Sequence, residues 1–274
     1  MSIARLALSR TWLGYLALTV IVAIVCVGLG LWQWARREES VAALELIERN
    51  YDIDPVDYAE AMGSAKAFDP ADEWLPVVLE GEYLAEEQLL ARARPRDGRP
   101  GFAVLTPLQL NDGSIVVVDR GWLPTGSAQD FPDVVPAAPT GRVEVTARLK
   151  PGEPTIAGRG APPGQIATIN LPQIAELLGD DVETSAYGQL IREDPAPAQR
   201  PLPAQRPILD EGPHLSYTFQ WYVFALLAFI GFGWALRQEA RTLDFVRTGI
   251  PVAASVRRRP SDADEEDALL DASR

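Results

Sequence analysis

The sequence predicts a membrane protein in which two transmembrane helices flank an extracytoplasmic, mainly antiparallel-β (α+β) domain. Three observations lead to this fold class. Residues 11–35 contain no charged side chain, and neither do residues 215–236. At about 1.5 Å per residue, each run is long enough as a helix to cross the hydrocarbon core of a bilayer. The chain between the two runs shows the short apolar–polar alternations that half-buried strands produce.

The first predicted transmembrane helix covers residues 12–35, after a short basic lead, 1–11, that we place in the cytoplasm. The apolar run is too long for the core of a signal peptide, and no small-residue cleavage site follows it. Gly30 and Gln33 share one helical face, where a small residue and an amide favour close packing against a second helix. Trp32 stands beside them at the outer membrane interface, where tryptophan is common. We assign all three residues to a helix-packing region.

Residues 36–212 form the predicted extracytoplasmic domain. The turn Asn111-Asp112-Gly113 joins its clearest pair of strands, because these residues tolerate the positive φ of a hairpin turn. A Pro-rich linker, 195–207, predicts an extended connection to the second helix. Alternation and length place the remaining elements: candidate strands at 75–83, 88–94, 102–110, 114–122, 142–150, 165–170 and 187–192, and a short helix at 171–178.

The charge of this domain restricts its partners. It carries 16 basic and 30 acidic side chains, a net charge of −14. Such a domain repels nucleic acid and anionic lipid, so neither is an expected partner. Cys26, the only cysteine, lies inside the first apolar run. No intrachain disulfide is therefore available, and the domain must rely on its own hydrophobic core.

The second predicted transmembrane helix covers residues 213–236 and decides the orientation. Arg237, Arg241 and Arg247 follow it. Since basic residues favour the cytoplasmic side, both termini are expected in the cytoplasm and the central domain outside it. The protein is then a multi-pass protein of the cell (plasma) membrane. Its last segment, 237–274, is predicted to be a cytoplasmic, largely disordered tail, because a basic run is followed by an acidic one.

His214 is the only histidine and stands at the mouth of the second helix. At 100° per residue it shares a face with Tyr217, Thr218 and Trp221. An imidazole beside a phenol and an indole can bind a metal or cofactor, or take part in proton chemistry. The alternative is an interfacial histidine in an aromatic belt, which is the commoner arrangement at a membrane surface. Helix geometry alone leaves both interpretations open.

No catalytic motif is recognisable. The sequence lacks a Walker loop, a GxGxxG segment, a nucleophile elbow and an HExxH motif. With one histidine at a helix mouth and one cysteine in an apolar run, a Ser-His-Asp or Cys-His arrangement in the central domain is excluded. We therefore expect a protein that is not an enzyme.

Three motifs in this order around two apolar helices resemble a known family. They are GLWQWAR at residues 30–36, PGFAVLTPL at 100–108 followed by VDRGWLP at 118–124, and GPHLSYTFQW at 212–221. Together they resemble the Surfeit locus protein one family of cytochrome c oxidase assembly factors. The resemblance covers residues 12–241.

The resemblance implies a function, a cofactor and partners. Family members support the maturation of cytochrome c oxidase subunit I by helping haem a reach its site. By this resemblance the chain binds haem a transiently, with His214 as the axial ligand of the haem iron and with Tyr217 and Trp221 beside the cofactor. Its partners are then subunit I with its assembly machinery, and membrane lipid. The alternative is a permanently bound structural subunit of the respiratory oxidase complex.

Arg120 within the second motif has a structural interpretation. Because it follows an apolar strand, we expect it to pair with a carboxylate where the strand closes a sheet edge.

Overall fold

The computed structural model describes residues 3–63, 68–128 and 130–249, which form two compact units. One unit holds the chain up to Arg37 and from Gly212 onward, and the other holds Glu38–Glu211. The described residues contain five α-helices: α1 (Ile3–Ala7), α2 (Arg10–Asn50), α3 (Tyr58–Met62), α4 (Leu171–Leu178) and α5 (His214–Thr248). They also contain eight strands: β1 (Val56–Asp57), β2 (Pro76–Tyr83), β3 (Leu89–Ala91), β4 (Gly101–Leu110), β5 (Ile115–Pro124), β6 (Arg142–Pro151), β7 (Gln165–Ile166) and β8 (Ala186–Asp194).

Helices α2 and α5 are long and apolar enough to cross a membrane. Both continue beyond their apolar parts, because the residues that follow include good helix formers such as alanine, glutamate and arginine. For α5 the structure differs from the predicted disordered tail, since residues 237–248 are helical. The rest of that tail, 250–274, lies outside the described residues.

The strands of the second unit form a closed barrel. The ring runs β2-β6-β8-β5-β4 and returns to β2 through the pairing of Gly81–Tyr83 with Leu108–Leu110. Four of the five ring pairings are antiparallel, and only β5–β8 is parallel. Outside this ring, β1 pairs with β2, β3 pairs with β4, and β7 pairs with β3. The predicted mainly antiparallel β domain between two long apolar helices is confirmed, whereas closure into a barrel was not anticipated.

Local sequence signals explain the elements that were predicted. In the β4–β5 hairpin, Gly113 has φ of +88°, and the carboxylate of Asp112 accepts a hydrogen bond from the Ser114 N–H at 3.0 Å. Helix α4 begins at the predicted residue because the Asn170 side chain caps the Gln173 N–H at 3.0 Å. It ends at Gly179, whose φ is +113°. These turn and cap residues set the boundaries of their elements.

The barrel interior is filled by apolar side chains from all five ring strands. Helix α3 adds Tyr58 and Met62 to this cluster. A second apolar cluster lies on the outer face of β4 and β5, where α4 covers it. Strand β5 is buried on both faces. Because successive side chains of a strand alternate, Val116 and Val118 face the barrel interior, whereas Ile115 and Val117 face α4. The strand therefore separates two cores.

Arg120 interrupts the β4–β5 pairing as a β-bulge. Leu105 pairs with Asp119 and Val104 with Gly121, so Arg120 has no partner residue in β4. The predicted carboxylate partner of Arg120 is confirmed as Glu193, at 3.0 Å from Nη2. The predicted place at a sheet edge is wrong, because β5 lies between β4 and β8.

The Pro-rich segment 195–207, which we call the strap, is part of the barrel wall as well as a linker. Leu202 exchanges two backbone hydrogen bonds with Trp122, at 2.7 and 2.9 Å. Gly121, with φ of +128°, leaves the space that this strap needs, since a Cβ there would overlap the Leu202 carbonyl. The strap thereby pairs with the part of β5 that lies beyond the short pairing with β8.

Candidate functional site

His214 is the first residue of α5, and its half-buried imidazole lies against Gln33 of α2. The Nδ1 atom is 2.9 Å from Oε1 of Gln33. Because an amide oxygen only accepts hydrogen bonds, Nδ1 carries the proton and donates it. In the neutral tautomer that carries its proton on Nδ1, the lone pair lies on Nε2, which can bind a metal ion.

Besides the Gln33–His214 pair, α2 contacts α5 at two further points. A Cβ on Gly30 would lie 2.8 Å from Cε1 of Tyr222, so the Tyr222 ring packs directly against the backbone of α2 at this glycine. Nearer the middle of the apolar run, Cys26 packs in a small apolar cluster with Ala225. Small residues on α2 therefore lead up to the Gln33–His214 pair, and they set the distance across which that hydrogen bond forms.

The other side chains predicted to lie near His214 or Gln33 differ from one another in burial and in contacts. Trp221 is half-buried and packs against the apolar cluster of Cys26. Thr218 is fully buried and donates from Oγ1 to the His214 carbonyl at 2.9 Å. Tyr217 is 45% exposed on the flank of the helix. Trp32 is 56% exposed and lies outside the helix contact, which differs from its predicted packing role. One residue before Gln33, it points about 100° away around the helix.

The donor chemistry at the helix mouth fits a haem iron and does not fit a metal cluster. Among the residues that the structure describes, no group of three or more His, Cys, Asp or Glu side chains could hold a metal ion. A single imidazole with an available Nε2 is, in contrast, sufficient as an axial haem ligand. The half-buried Trp221 on the same face would offer apolar surface to a macrocycle held there.

Sequence reasoning missed a polar cluster on the outer face of the barrel wall. Arg94 donates to both carboxylate oxygens of Glu153, at 2.7 and 2.5 Å. Burial raises the pKa of Asp119 to about 7, although the Gly121 N–H and the Arg94 charge oppose the shift. Burial also raises the pKa of Tyr187. Asp119 sits inside the motif VDRGWLP, but only the fold brings the other residues, which come from distant segments, to its side.

Comparison with known proteins assigns the chain to a family. The SURF1 family profile matches residues 20–226, a stretch that contains both Gln33 and His214. An uncharacterized SURF1-like protein of Mycobacterium bovis is 32% identical over 246 residues, covering 87% of this chain and 89% of the relative. The chain belongs to the SURF1 family. The resemblance found in the three motifs is thereby confirmed.

More distant SURF1 relatives match a smaller part of the chain. A SURF1-like protein of Dictyostelium discoideum is 28% identical over 107 residues, which is 37% of this chain and 40% of the relative. The cytochrome oxidase assembly protein SHY1 of Saccharomyces cerevisiae is 26% identical over 113 residues, which is 39% of this chain and 28% of that protein.

Proposed function

We propose that this SURF1-family chain is a membrane-anchored assembly factor for cytochrome c oxidase. Family membership supports the proposal, as does the similarity to the yeast cytochrome oxidase assembly protein SHY1. Two helices long and apolar enough to cross a membrane provide the anchors. The acidic barrel domain provides a surface that can dock the oxidase, with subunit I as its partner. The absence of catalysis by the chain itself remains a prediction.

The cargo that we propose is haem a, held at the mouth of α5. The observation that carries this step is the 2.9 Å contact between His214 and Gln33, because it engages Nδ1 and leaves Nε2 as the ring nitrogen that can bind iron. His214 would be the axial ligand, and Trp221 and Tyr217 would lie beside the macrocycle. Bound there, haem a would supply an iron with an open coordination position. One protein ligand also suits a carrier, since a haem held by a single imidazole is easier to release to subunit I than one held by two.

The test of this function is the absorption spectrum of the purified full-length chain after co-expression with the enzymes of haem a synthesis. We expect haem a absorbance at a stoichiometry of up to one per chain. The mature oxidase, purified separately, should contain the chain in substoichiometric amounts. Purification at one chain per oxidase would favour the permanently bound structural subunit, and absence of haem a from the chain would contradict the carrier function.

We also propose that both termini lie in the cytoplasm and the barrel outside it, in the plasma membrane. The basic residues after the apolar part of α5 support this orientation. Ser127 is exposed in the barrel unit, so Ser127→Cys in a Cys26→Ser background should react with a membrane-impermeant maleimide in intact cells. Thr242→Cys, exposed on α5 beyond Arg237, should react only after lysis. The reverse pattern would contradict this topology.

A further inference from the structure

The barrel unit contains a half-open cavity of about 210 Å³ on the outer face of its wall. It lies where β5, β8 and the strap meet. Its lining is mixed, with two aromatic rings, several small apolar groups and buried polar atoms. The lining residues that matter here are Arg94, Arg96, Asp119, Trp122, Tyr187 and Gln189.

Hydrogen-bond acceptors in this cavity lack donors. Asp119 is 8% exposed, and the hydrogen bond described for its side chain is the one from the Gly121 N–H to Oδ1, at 3.0 Å. The side-chain oxygen Oε1 of Gln189 is buried and has no protein partner. Burying an acceptor without a donor is unfavourable, so Oδ2 of Asp119 and Oε1 of Gln189 favour a ligand that brings N–H groups.

Most donors in the cavity are already committed. Arg94 is neutralised by its two hydrogen bonds to Glu153, and its carbonyl accepts from Trp122 Nε1 at 2.6 Å. Its Nε is the one buried donor atom among the described lining residues without a partner. Arg96 donates from Nη1 to the Pro203 carbonyl at 2.7 Å. The acceptors with capacity to spare, Asp119 and Gln189, therefore outnumber the one unpaired buried donor, Arg94 Nε, which favours a ligand that brings donors.

We propose that this cavity binds the guanidinium or primary ammonium head of a ligand that carries a short alkyl stem. The head would donate to Asp119 and Gln189, and the Tyr187 ring would pack on the stem. The Trp122 ring already has the Arg96 guanidinium 5.8 Å from its centroid. At about 30 Å³ per water-sized group, the cavity holds about seven non-hydrogen atoms, which is the size of an arginine side chain beyond its backbone. The net charge of −14 on residues 36–212 attracts such a cation from solution.

The protonation of Asp119 couples this binding to pH. Burial raises the pKa of Asp119 to about 7, so near neutral pH the empty cavity holds a mixture of acid and carboxylate. A cation binds the carboxylate, so at lower pH binding must first remove a proton. The charged groups nearby are Arg94, Glu153 and Arg96, together with the neutral phenol of Tyr187. Arginine stays protonated, burial raises the pKa of Tyr187, and Arg94 keeps Glu153 ionised despite its burial. Asp119 alone changes charge between pH 6 and pH 8.

The experiment titrates the full-length chain in detergent micelles with n-propylguanidinium and n-propylammonium, followed by saturation-transfer NMR of the ligand. Both cations should bind with a Kd about tenfold lower at pH 8 than at pH 6, as a single group of pKa about 7 requires. Propionate, the anionic counterpart, should not bind. N-acetylarginine amide identifies the source of the cation: binding at least as tight as propylguanidinium indicates a side chain of a partner protein, and its exclusion indicates a free small molecule.

Two variants test the assignment. Asp119→Asn keeps the shape of the side chain, and it should weaken cation binding at pH 8 at least tenfold and abolish the pH dependence. Glu86→Gln removes one negative charge from an exposed position and should leave both unchanged. If Asp119→Asn does not fold, Ala204→Phe on the strap fills the cavity from outside and should abolish binding. Unchanged binding in either cavity variant, or propionate binding that tightens as the pH falls, would overturn the proposal.

Discussion

Purified His214→Ala protein is expected to carry little or no haem a, although it folds and inserts like the wild type. The chain has no second histidine to replace the ligand. His214 is only half-buried at the first residue of α5, so its loss leaves no large cavity in a packed core. The measurement is the haem a absorbance of the variant against wild type at equal protein concentration.

Conservative variants around His214 separate iron ligation from packing. Tyr217→Phe removes one hydroxyl and Trp221→Phe keeps an aromatic ring, so each should retain most of the haem. For Tyr217 the loss should be about 0.5–1.5 kcal/mol, the net worth of an ordinary hydrogen bond. Gln33→Leu leaves the imidazole without the partner that orients it, and an intermediate loss is expected.

The contradicting outcome is full haem occupancy in His214→Ala. It would reject axial ligation and leave His214 as an interfacial residue whose side chain pairs with Gln33. In cells, the variant should lower the haem a content and activity of the oxidase without abolishing either, since an assembly factor speeds insertion and does not form the final site.

Arg120→Met is expected to destabilise the barrel by about 3–5 kcal/mol, because it leaves the Glu193 carboxylate buried without its partner. The side chains of this pair are 0% and 4% exposed. Arg120 also donates to the carbonyls of Pro136 and Ala137, each at 3.3 Å, and lies 5.4 Å from the centre of the Tyr83 ring. Amide hydrogen exchange of the β5 strand in the full-length chain measures the change in the free energy of barrel opening.

An exposed ion pair of the same barrel supplies the matched control. Nη2 of Arg142 lies 2.6 Å from Oε2 of Glu80, and the two side chains are 69% and 50% exposed. Arg142→Met should therefore cost no more than about 1 kcal/mol. Adding Glu193→Leu to Arg120→Met should recover part of the lost stability, since the buried charge is then removed. Equal effects of the two arginine substitutions would contradict a special role for the buried pair.

The sequence by itself determined the elements whose signals are local. Two uncharged runs of sufficient length predicted α2 and α5, and the NDG turn predicted the β4–β5 hairpin that the structure shows. Helix α4 begins after Asn170 and ends before Gly179, at the boundaries predicted, because a cap acts within one helical turn. The three motifs also pointed to the right family, since each is a continuous stretch of chain.

The tertiary structure alone decided how distant segments meet. Alternation predicts a strand but not its neighbour, so neither the return of β4 to β2 nor the parallel β5–β8 pairing could be read from periodicity. The same holds for the partners of the polar side chains. His214 and Gln33 are 181 residues apart, and Arg120 and Glu193 are 73 apart. A residue type shows that a buried charge or imidazole needs a partner, but many carboxylates and amides satisfy that need equally well. The tertiary fold decides which carboxylate or amide becomes the partner.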